Sequence, residues 1–181
     1  MLCAVTLALL LELPLGAIEH AVAATGAPPG RFEPVETGQG FGVIVDYAHT
    51  PAGIAAVLAS ARPLTGGRLL CVFGAGGDRD HAKRPLMGAA AEAGADRLYV
   101  TSDNSRSEST DVIVEQILEG LERASDAFVE HDRRRAIARA LADAEEGDLV
   151  LILGKGHEQG QDIGGVVEPF DDRTVAQELL G

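Results

Sequence analysis

The sequence is short of the residues on which several classes of protein depend. It has no tryptophan, two cysteines and only 4% aromatic residues in a chain of 181. Cys3 and Cys71 both lie in apolar runs, without the spacing of a disulfide framework or a metal site. They are predicted to be reduced core residues of a cytoplasmic protein. Lysine is also scarce, since Lys83 and Lys155 stand against thirteen arginines.

Positive charge is in deficit over the whole chain. The formal net charge is −13 at pH 7, which disfavours a nucleic acid or an anionic membrane as a partner. Hydrophobic residues make up 46% and charged residues 24%, which is typical of a globular protein. The length fits one domain, or one domain with part of another.

The apolar beginning of the chain lacks the features of a signal peptide or a membrane span. A signal peptide has a basic segment near its start, and the first basic residue here is Arg31. The apolar run breaks at Glu12, before the ~20 residues that a bilayer requires. A pair of buried helices is predicted instead, the second opening at Pro14, followed by a linker over 25–30. A chain that starts inside such an apolar helix is expected to be a fragment of a longer protein.

Apolar runs alternate with helical patterns after this linker. The predicted strands are 41–48, 69–73, 97–102, 127–130, 149–153 and a weaker one at 165–168. The predicted helices are about 51–61, 83–93, 112–122, 133–144 and one from Asp172. This alternation predicts an α/β fold, a Rossmann-like, mostly parallel sheet flanked by helices.

Polar residues follow four of the predicted strands. They are Asp46-Tyr47-Ala48-His49, Asp78-Arg79-Asp80, Asp103-Asn104-Ser105-Arg106 and Lys155-Gly156-His157-Glu158. Parallel strands point the same way, so these loops are expected to converge on one edge of the sheet. Arginine binds carboxylates and acidic residues bind ammonium groups, so the set predicts a site for a zwitterion such as an amino acid. For any one loop alone, solvated charges are the simpler interpretation.

The glycine-rich segments lack the complete pattern of a nucleotide-binding loop. No GxxxxGK[ST] motif occurs, residues 74–77 lack the third glycine of a dinucleotide fingerprint, and no clear helix follows 154–160. A nucleotide-dependent oxidoreductase is therefore disfavoured. His49 and His157 are candidate general bases, although a loop histidine is at least as often a structural hydrogen-bonding residue.

Taken together and in this order, the motifs resemble the Mur ligase family of peptidoglycan-precursor ligases. The matching segments are 30–33, 45–51, 76–85, 103–106 and 154–158. The resemblance implies a three-domain enzyme that uses ATP to activate a carboxylate of a UDP-N-acetylmuramoyl dipeptide as an acyl phosphate. The amine of an incoming amino acid then attacks it.

The same resemblance implies a domain division and a division of labour. Residues 1–29 are expected to be the end of a central ATPase domain, and residues 30–181 a C-terminal amino-acid-binding domain. The P-loop and the magnesium ligands would belong to parts absent here. ATP and Mg²⁺ would thus serve the full-length enzyme, with no metal ligand predicted in this chain and neither expected to bind to it alone.

The resemblance also assigns individual residues. By similarity, the substrate-binding residues are Arg79, Asp103, Asn104, Ser105, Arg106, Gly154 and Glu158. The residues expected to face the nucleotide are Asp46, His49 and Asp78. Lys155 and His157 are expected near the site without an assigned role.

Ser105 is a departure from the family pattern. Members that add diaminopimelate have Asp-Asn-Pro-Arg, and serine replaces the proline, whose fixed φ stiffens a turn. A looser loop is therefore expected. Arg106 remains, and it supplies the cation that the extra carboxylate of diaminopimelate requires and that lysine-adding relatives usually lack. The expected amino acid is meso-diaminopimelate. A lysine-adding ligase and a stand-alone, non-catalytic amino-acid-binding module are the alternatives.

Overall fold

The computed structural model describes residues 2–26 and 28–181, with the backbone alone at Leu2. The chain begins with two short helices, α1 (Leu2–Leu10) and α2 (Leu15–Ala24), and then enters an α/β domain. Met1 and Ala27, one residue of the predicted linker, lie outside the described residues.

A six-stranded sheet forms the centre of the α/β domain. The strands of the chain are β1 (Glu33–Pro34), β2 (Gly42–Asp46), β3 (Leu69–Phe73), β4 (Arg97–Val100), β5 (Phe128–Val129), β6 (Leu149–Leu153), β7 (Gly160–Ile163) and β8 (Val166–Pro169). The sheet order is β1-β2-β6-β3-β4-β5, with β1 antiparallel and the other five parallel. β7 and β8 form a separate antiparallel hairpin. The predicted α/β fold with a mostly parallel sheet is confirmed.

Helices cover both faces of the sheet. They are α3 (Pro51–Ala61), α4 (Lys83–Gly94), α5 (Thr110–Leu118), α6 (Arg133–Asp143) and α7 (Asp172–Leu180). Successive side chains of a strand point to opposite faces, so Cys71 and Phe73 pack under α3, α4 and α5, while Leu70 and Val72 pack under α6 and α7. The central strands β3 and β6 are buried along their whole length.

Local sequence explains where several elements begin and end. Thr50 caps α3 by accepting a hydrogen bond from the amide of Gly53 at 3.1 Å, and Pro51 occupies the first turn. The predicted strands 41–48 and 97–102 extend beyond the observed strands. Strands β1 and β7 were not predicted, because neither has the alternation of apolar and polar residues that marks a half-buried strand.

The N-terminal helices are mostly exposed, so the prediction that they are buried is wrong for this chain. Ile18 is the one buried residue that α1 and α2 contribute among the described residues, whereas Leu10 is 75% exposed. Cys71 is buried as predicted, but Cys3 is exposed. The physical reason is that α1 packs mainly on α2, which leaves its outer apolar surface uncovered. Within the described ranges, no helix is long and apolar enough to cross a bilayer.

Candidate functional site

Loops that follow four strands meet in one cleft at the carboxyl edge of the sheet. The cleft has a volume of about 160 Å³. It is lined by residues that follow β2, β3, β4 and β6, namely Tyr47, His49, Gly76, Arg79, Lys83, Asp103, Asn104, Arg106, Gly154 and Glu158. The expected convergence of the polar loops is therefore present. Of the predicted site residues, those outside the lining are Asp46, Asp78, Ser105, Lys155 and His157.

Glycines let these loops approach one another closely. A Cβ at Gly77 would lie 1.9 Å from the carbonyl oxygen of Ser105, so the loop after β3 can lie against the loop after β4 only with glycine here. Gly154 has φ +116°, and a Cβ there would lie 2.6 Å from Oδ2 of Asp103. The positive φ and the close approach both favour glycine at this position.

The loop after β4 is tied to its neighbours by backbone hydrogen bonds. The amide of Gly77 donates to the carbonyl of Asn104 at 2.8 Å, and the amide of Arg106 donates to the carbonyl of Asp162 at 3.0 Å. Ser105 is 1% exposed. The looser loop expected from serine at this position stays a prediction.

Asn104, Lys155 and Glu158 form one hydrogen-bonded network. Nδ2 of Asn104 donates to Oε2 of Glu158 at 2.8 Å, and Nζ of Lys155 donates to Oδ1 of Asn104 at 3.1 Å. The Lys155 side chain is 0% exposed and the Glu158 side chain 33%. Among the described residues, Oε1 of Glu158 accepts no hydrogen bond, so this oxygen is available to a ligand.

Two arginines line the cleft without a carboxylate partner among the described residues. Nη1 of Arg106 donates to the carbonyls of Gly77 at 2.7 Å and Asn104 at 3.4 Å, which leaves Nε and Nη2 available. Arg79 is exposed, and its Nη1 donates to the carbonyl of Asp78 at 3.1 Å. A guanidinium group with two unused N–H donors on one edge can bind a carboxylate in bidentate geometry.

Arg84 fixes the loops after β3 and β4 from below, and sequence reasoning missed this role. Its fully buried guanidinium donates to both oxygens of Glu108 at 2.9 Å and to the carbonyl of Gly76 at 3.1 Å. Hydrogen bonds from Arg84 lower the pKa of Glu108 to about 2. The available signal was the position of Arg84 in the segment 76–85.

Arg133 holds the ends of two strands in a similar way and was also missed. Its side chain and that of Asp172 are both 0% exposed, and they form two hydrogen bonds of 2.8 Å. Arg133 also donates to the carbonyls of Ser102 at 3.1 Å and Leu153 at 2.9 Å. Burial lowers the pKa of Arg133, but the charge and hydrogen bonds of Asp172, together with the charges of Asp103 and Glu158, raise it overall. Nothing in the sequence distinguishes Arg133 from the two arginines that follow it.

The residues expected to face a nucleotide differ in their surroundings. Asp46 is 7% exposed, and its carboxylate accepts hydrogen bonds from the amides of Phe32 at 2.8 Å and Ala48 at 2.7 Å. It therefore fixes the loop after β2. The carboxylate of Asp78 accepts a hydrogen bond from Oγ of Ser107 at 2.7 Å, and this contact lowers its pKa.

His49 is exposed and belongs to an aromatic group around Tyr47. Its Nδ1 donates to the carbonyl of Tyr47 at 2.8 Å, since a carbonyl can only accept. The Tyr47 ring lies 4.6 Å from the His49 ring, 5.2 Å from the His157 ring and 4.6 Å from the guanidinium carbon of Arg31. Arg31 and Tyr47 were not predicted site residues, although both lie in segments that carry the family resemblance.

Lys83 is a further lining residue that sequence reasoning did not assign. It begins α4, and its Nζ donates to the carbonyl of His49 at 3.2 Å, joining the loop after β2 to the helix after β3. As one of two lysines in the chain, it could have been singled out. No group of three or more His, Cys, Asp or Glu side chains placed to hold a metal ion occurs within residues 2–26 and 28–181.

The relationship to known proteins agrees with this geometry. Residues 30–156 match the family model described as "Mur ligase, glutamate ligase domain". The chain is 53% identical over 153 residues to the UDP-N-acetylmuramoyl-L-alanyl-D-glutamate–2,6-diaminopimelate ligase of Aquifex aeolicus, covering 84% of this chain and 32% of the relative. It is 47% identical to the ligase of the same name from Caldanaerobacter subterraneus, covering 99% of this chain and 37% of the relative.

Two solved structures show the same fold. A structure of a UDP-N-acetylmuramoyl-L-alanyl-D-glutamate–2,6-diaminopimelate ligase matches with a TM-score of 0.80 at 37% identity, over 98% of this chain and 36% of that one. A Yersinia pestis folylpolyglutamate synthase/dihydrofolate synthase complexed with AMPPNP and Mn ion matches with a TM-score of 0.64 at 25% identity, over 80% of this chain and 32% of that one. This chain spans about a third of the length of the curated relatives that it matches. The family match and the shared fold together show that the chain belongs to the Mur ligase family.

Proposed function

We propose that this chain is the amino-acid-binding part of an ATP-dependent ligase of cytoplasmic peptidoglycan-precursor synthesis. The ligase joins meso-diaminopimelate to UDP-N-acetylmuramoyl-L-alanyl-D-glutamate. The observation that carries the proposal is the cleft at the strand ends, where guanidinium groups with unused N–H donors face a carboxylate with an unused oxygen. The names of the relatives, which cover the same segment at about half identity, support the same amino acid.

The charges of the cleft complement diaminopimelate better than lysine. Both amino acids carry an ammonium group at each end, but diaminopimelate has a carboxylate at its far end where lysine has none. Arg106 binds this carboxylate through Nε and Nη2, while Oε1 of Glu158 accepts from the distal ammonium. A charge-assisted hydrogen bond contributes ~1.5–3 kcal/mol, whereas Arg106 has nothing to bind in lysine and repels its charge.

Other predicted residues complete the proposed amino-acid site. Arg79 and Asn104 bind the amino acid directly. Asp103 and Gly154 shape the cleft wall, because the glycine lets the strand end pass close to the carboxylate. Ser105 is assigned to the same site, where its backbone lies against Gly77.

The neighbouring surface is proposed to meet ATP when the enzyme closes. Asp46, His49 and Asp78 are assigned to this face, with His157 beside them, and the rings of His49 and His157 both pack against Tyr47 there. Residues 1–29 are assigned to the end of the ATPase domain and 30–181 to the amino-acid-binding domain. Magnesium would neutralise phosphate charge during transfer. No ligand for it is assigned to this chain.

A fusion experiment tests the proposal. The chain alone is expected to release no ADP with the nucleotide dipeptide, meso-diaminopimelate, ATP and Mg²⁺, because phosphoryl transfer depends on a phosphate-binding loop that the sequence lacks. Joined to the remaining N-terminal part of the Aquifex aeolicus relative, it is expected to restore ADP release that depends on meso-diaminopimelate. Turnover by the chain alone, or a preference for lysine in the fusion, would contradict the proposal. Amino-acid binding without turnover in the fusion would favour a stand-alone binding module.

A further inference from the structure

Lys155 is a fully buried lysine directly beneath the cleft. Its side chain is 0% exposed, and burying a lysine is costly unless its ammonium group is fully hydrogen-bonded. Nζ donates to Oδ1 of Asn104 at 3.1 Å, to Oε2 of Glu158 at 3.3 Å and to the carbonyl of Gly160 at 2.6 Å. An ammonium group has three donors, so each has one protein acceptor and none is left for a ligand.

The contacts of Lys155 determine the orientation of the Asn104 amide. Oδ1 of Asn104 also accepts a hydrogen bond from the backbone amide of Asp162 at 3.0 Å. An ammonium and a backbone N–H can only donate, so the atom between them must be the oxygen. The amide nitrogen is therefore turned towards Glu158 and keeps one N–H for a further acceptor.

Lys155 also determines which carboxylate oxygen of Glu158 remains available to a ligand. Oε2 of Glu158 accepts from both Lys155 and Asn104, which leaves Oε1 as the oxygen without a partner among the described residues. The lysine thus joins the loop after β4, the turn after β6 and the start of β7 in one network. Each of the two ligand-facing groups presents one defined atom as a result.

We propose that Lys155 is a positioning residue, which orients Asn104 and Glu158 for the two charged groups at the far end of the amino acid. This assignment rests on the proposed function for the identity of the ligand. The orientation of the Asn104 amide does not depend on the proposed function, so the positioning role of Lys155 and the proposed function can fail separately.

The first test follows the Asn104 side-chain amide by ¹⁵N NMR in the 181-residue chain, with Asn104→Asp to identify the signal. In the unsubstituted chain the amide protons are expected to exchange slowly with solvent. Lys155→Met should make them exchange faster, because Oδ1 of Asn104 then keeps only the amide of Asp162 as a donor. The matched control is Arg134→Met, which removes a cation remote from the cleft, in an exposed ion pair with Glu178, and should leave the signal unchanged. An unchanged signal in Lys155→Met would overturn the proposal.

The second test measures binding of meso-diaminopimelate by calorimetry. Lys155→Met is expected to weaken binding about tenfold or more, the loss of one charge-assisted hydrogen bond. In an Asn104→Ala background the same substitution should cost much less, since residues that act through one another are not additive. The same fold-loss of affinity on Lys155→Met in both backgrounds would contradict a positioning role. If the unsubstituted chain does not bind the amino acid, the proposed function fails, while the amide signal still decides the role of Lys155.

A further measurement covers the case in which Lys155→Met does not fold. Asn104→Ala removes the same contact from a partly buried position. With ¹⁵N-labelled lysine the chain gives two side-chain signals, and that of Lys155 is expected to shift in Asn104→Ala while that of Lys83 stays. A Lys155 signal that does not shift would overturn the proposal.

Discussion

The arginines beneath the sheet edge and those in the cleft above it use the same guanidinium group differently. Arg84 and Arg133 are fully buried, and each forms two hydrogen bonds with one carboxylate and at least one more with a backbone carbonyl. Arg79 and Arg106 bond only to carbonyls of their own loops or the neighbouring one, with no carboxylate within 4 Å among the described residues. The buried charges are used to hold the loops in place, and the cleft charges remain available to a ligand.

Position relative to the strand ends explains the difference. Arg79 and Arg84 are five residues apart in one segment, but Arg84 is the second residue of α4 and is buried, whereas Arg79 precedes the helix and is exposed. A buried arginine without a partner would be very costly, so Arg84 and Arg133 require Glu108 and Asp172. Substitution of the buried arginines should therefore reduce stability, whereas substitution of the cleft arginines should reduce ligand binding.

The largest loss of stability is expected from substitution of a buried arginine beneath the sheet edge. Arg133→Met leaves Asp172 as a buried, unpaired carboxylate and should lower the free energy of unfolding by about 3–5 kcal/mol. The control is Arg134→Met, the adjacent arginine, whose ion pair with Glu178 is about half exposed and should contribute at most ~1 kcal/mol. Urea unfolding measures both. Similar losses in the two variants would remove the distinction between buried and exposed charges.

A smaller loss of stability is expected where the two loops meet. In Gly77→Ala the new Cβ would overlap the carbonyl of Ser105, and such overpacking costs about 1–3 kcal/mol. Gly66→Ala is the matched control, because nothing lies within 4 Å of its Cβ position. Urea unfolding should separate the variants, and tolerance of alanine at Gly77 would show that the loops need not pack so closely.

Acid should weaken the ion pair between the buried Arg84 and Glu108. It should not act directly on Arg79 and Arg106 in the cleft. The pKa of Glu108 is lowered to about 2 in the folded chain, below its unfolded value of about 4.3. Its contribution to stability is therefore present above about pH 4.5 and is lost as the pH falls towards 2. The stability gap between the unsubstituted chain and Glu108→Gln should narrow between pH 5 and pH 2.5 in urea unfolding. A gap that does not change with pH would contradict this account.

The smallest effect on the sheet is expected from the N-terminal helices. They contribute one buried residue among those described, so deletion of residues 1–29 should change the unfolding free energy of the α/β domain by no more than about 0.5 kcal/mol. The deletion also removes exposed leucines such as Leu10, and should reduce self-association measured by sedimentation. Unfolding of the remaining domain would show that the proposed boundary at residue 29 is wrong.

The sequence predicted the parts of the molecule that depend on local pattern. The buried strands 69–73 and 149–153 were predicted to the residue, because continuous apolar runs closed by glycine or a turn are typical of parallel strands. The loops that form the cleft were predicted as well, since parallel strands end at one edge. The hairpin of β7 and β8 was half missed, because its first strand, Gly160–Ile163, is polar.

The buried charges could not be predicted from pattern. Arg133 is the first of three consecutive arginines, and its burial follows from contact with Asp172, 39 residues later in the chain. Lys155 likewise resembles a loop lysine in sequence, and only the fold places it beneath Asn104 and Glu158. Pairs between distant segments leave no periodic signal, so these residues were found through the structure.

The most direct test of the central claim is a calorimetric titration of the 181-residue chain with meso-diaminopimelate and with L-lysine. The unsubstituted chain should bind diaminopimelate more tightly, and Arg106→Ala should weaken that binding about tenfold or more, because two charge-assisted hydrogen bonds are lost. Lysine binding should not weaken, because Arg106 repels its charge, and Arg134→Ala, remote from the cleft, should alter the binding of neither amino acid. Equal losses for both amino acids in Arg106→Ala, or tighter binding of lysine by the unsubstituted chain, would contradict the assignment of Arg106 to the distal carboxylate.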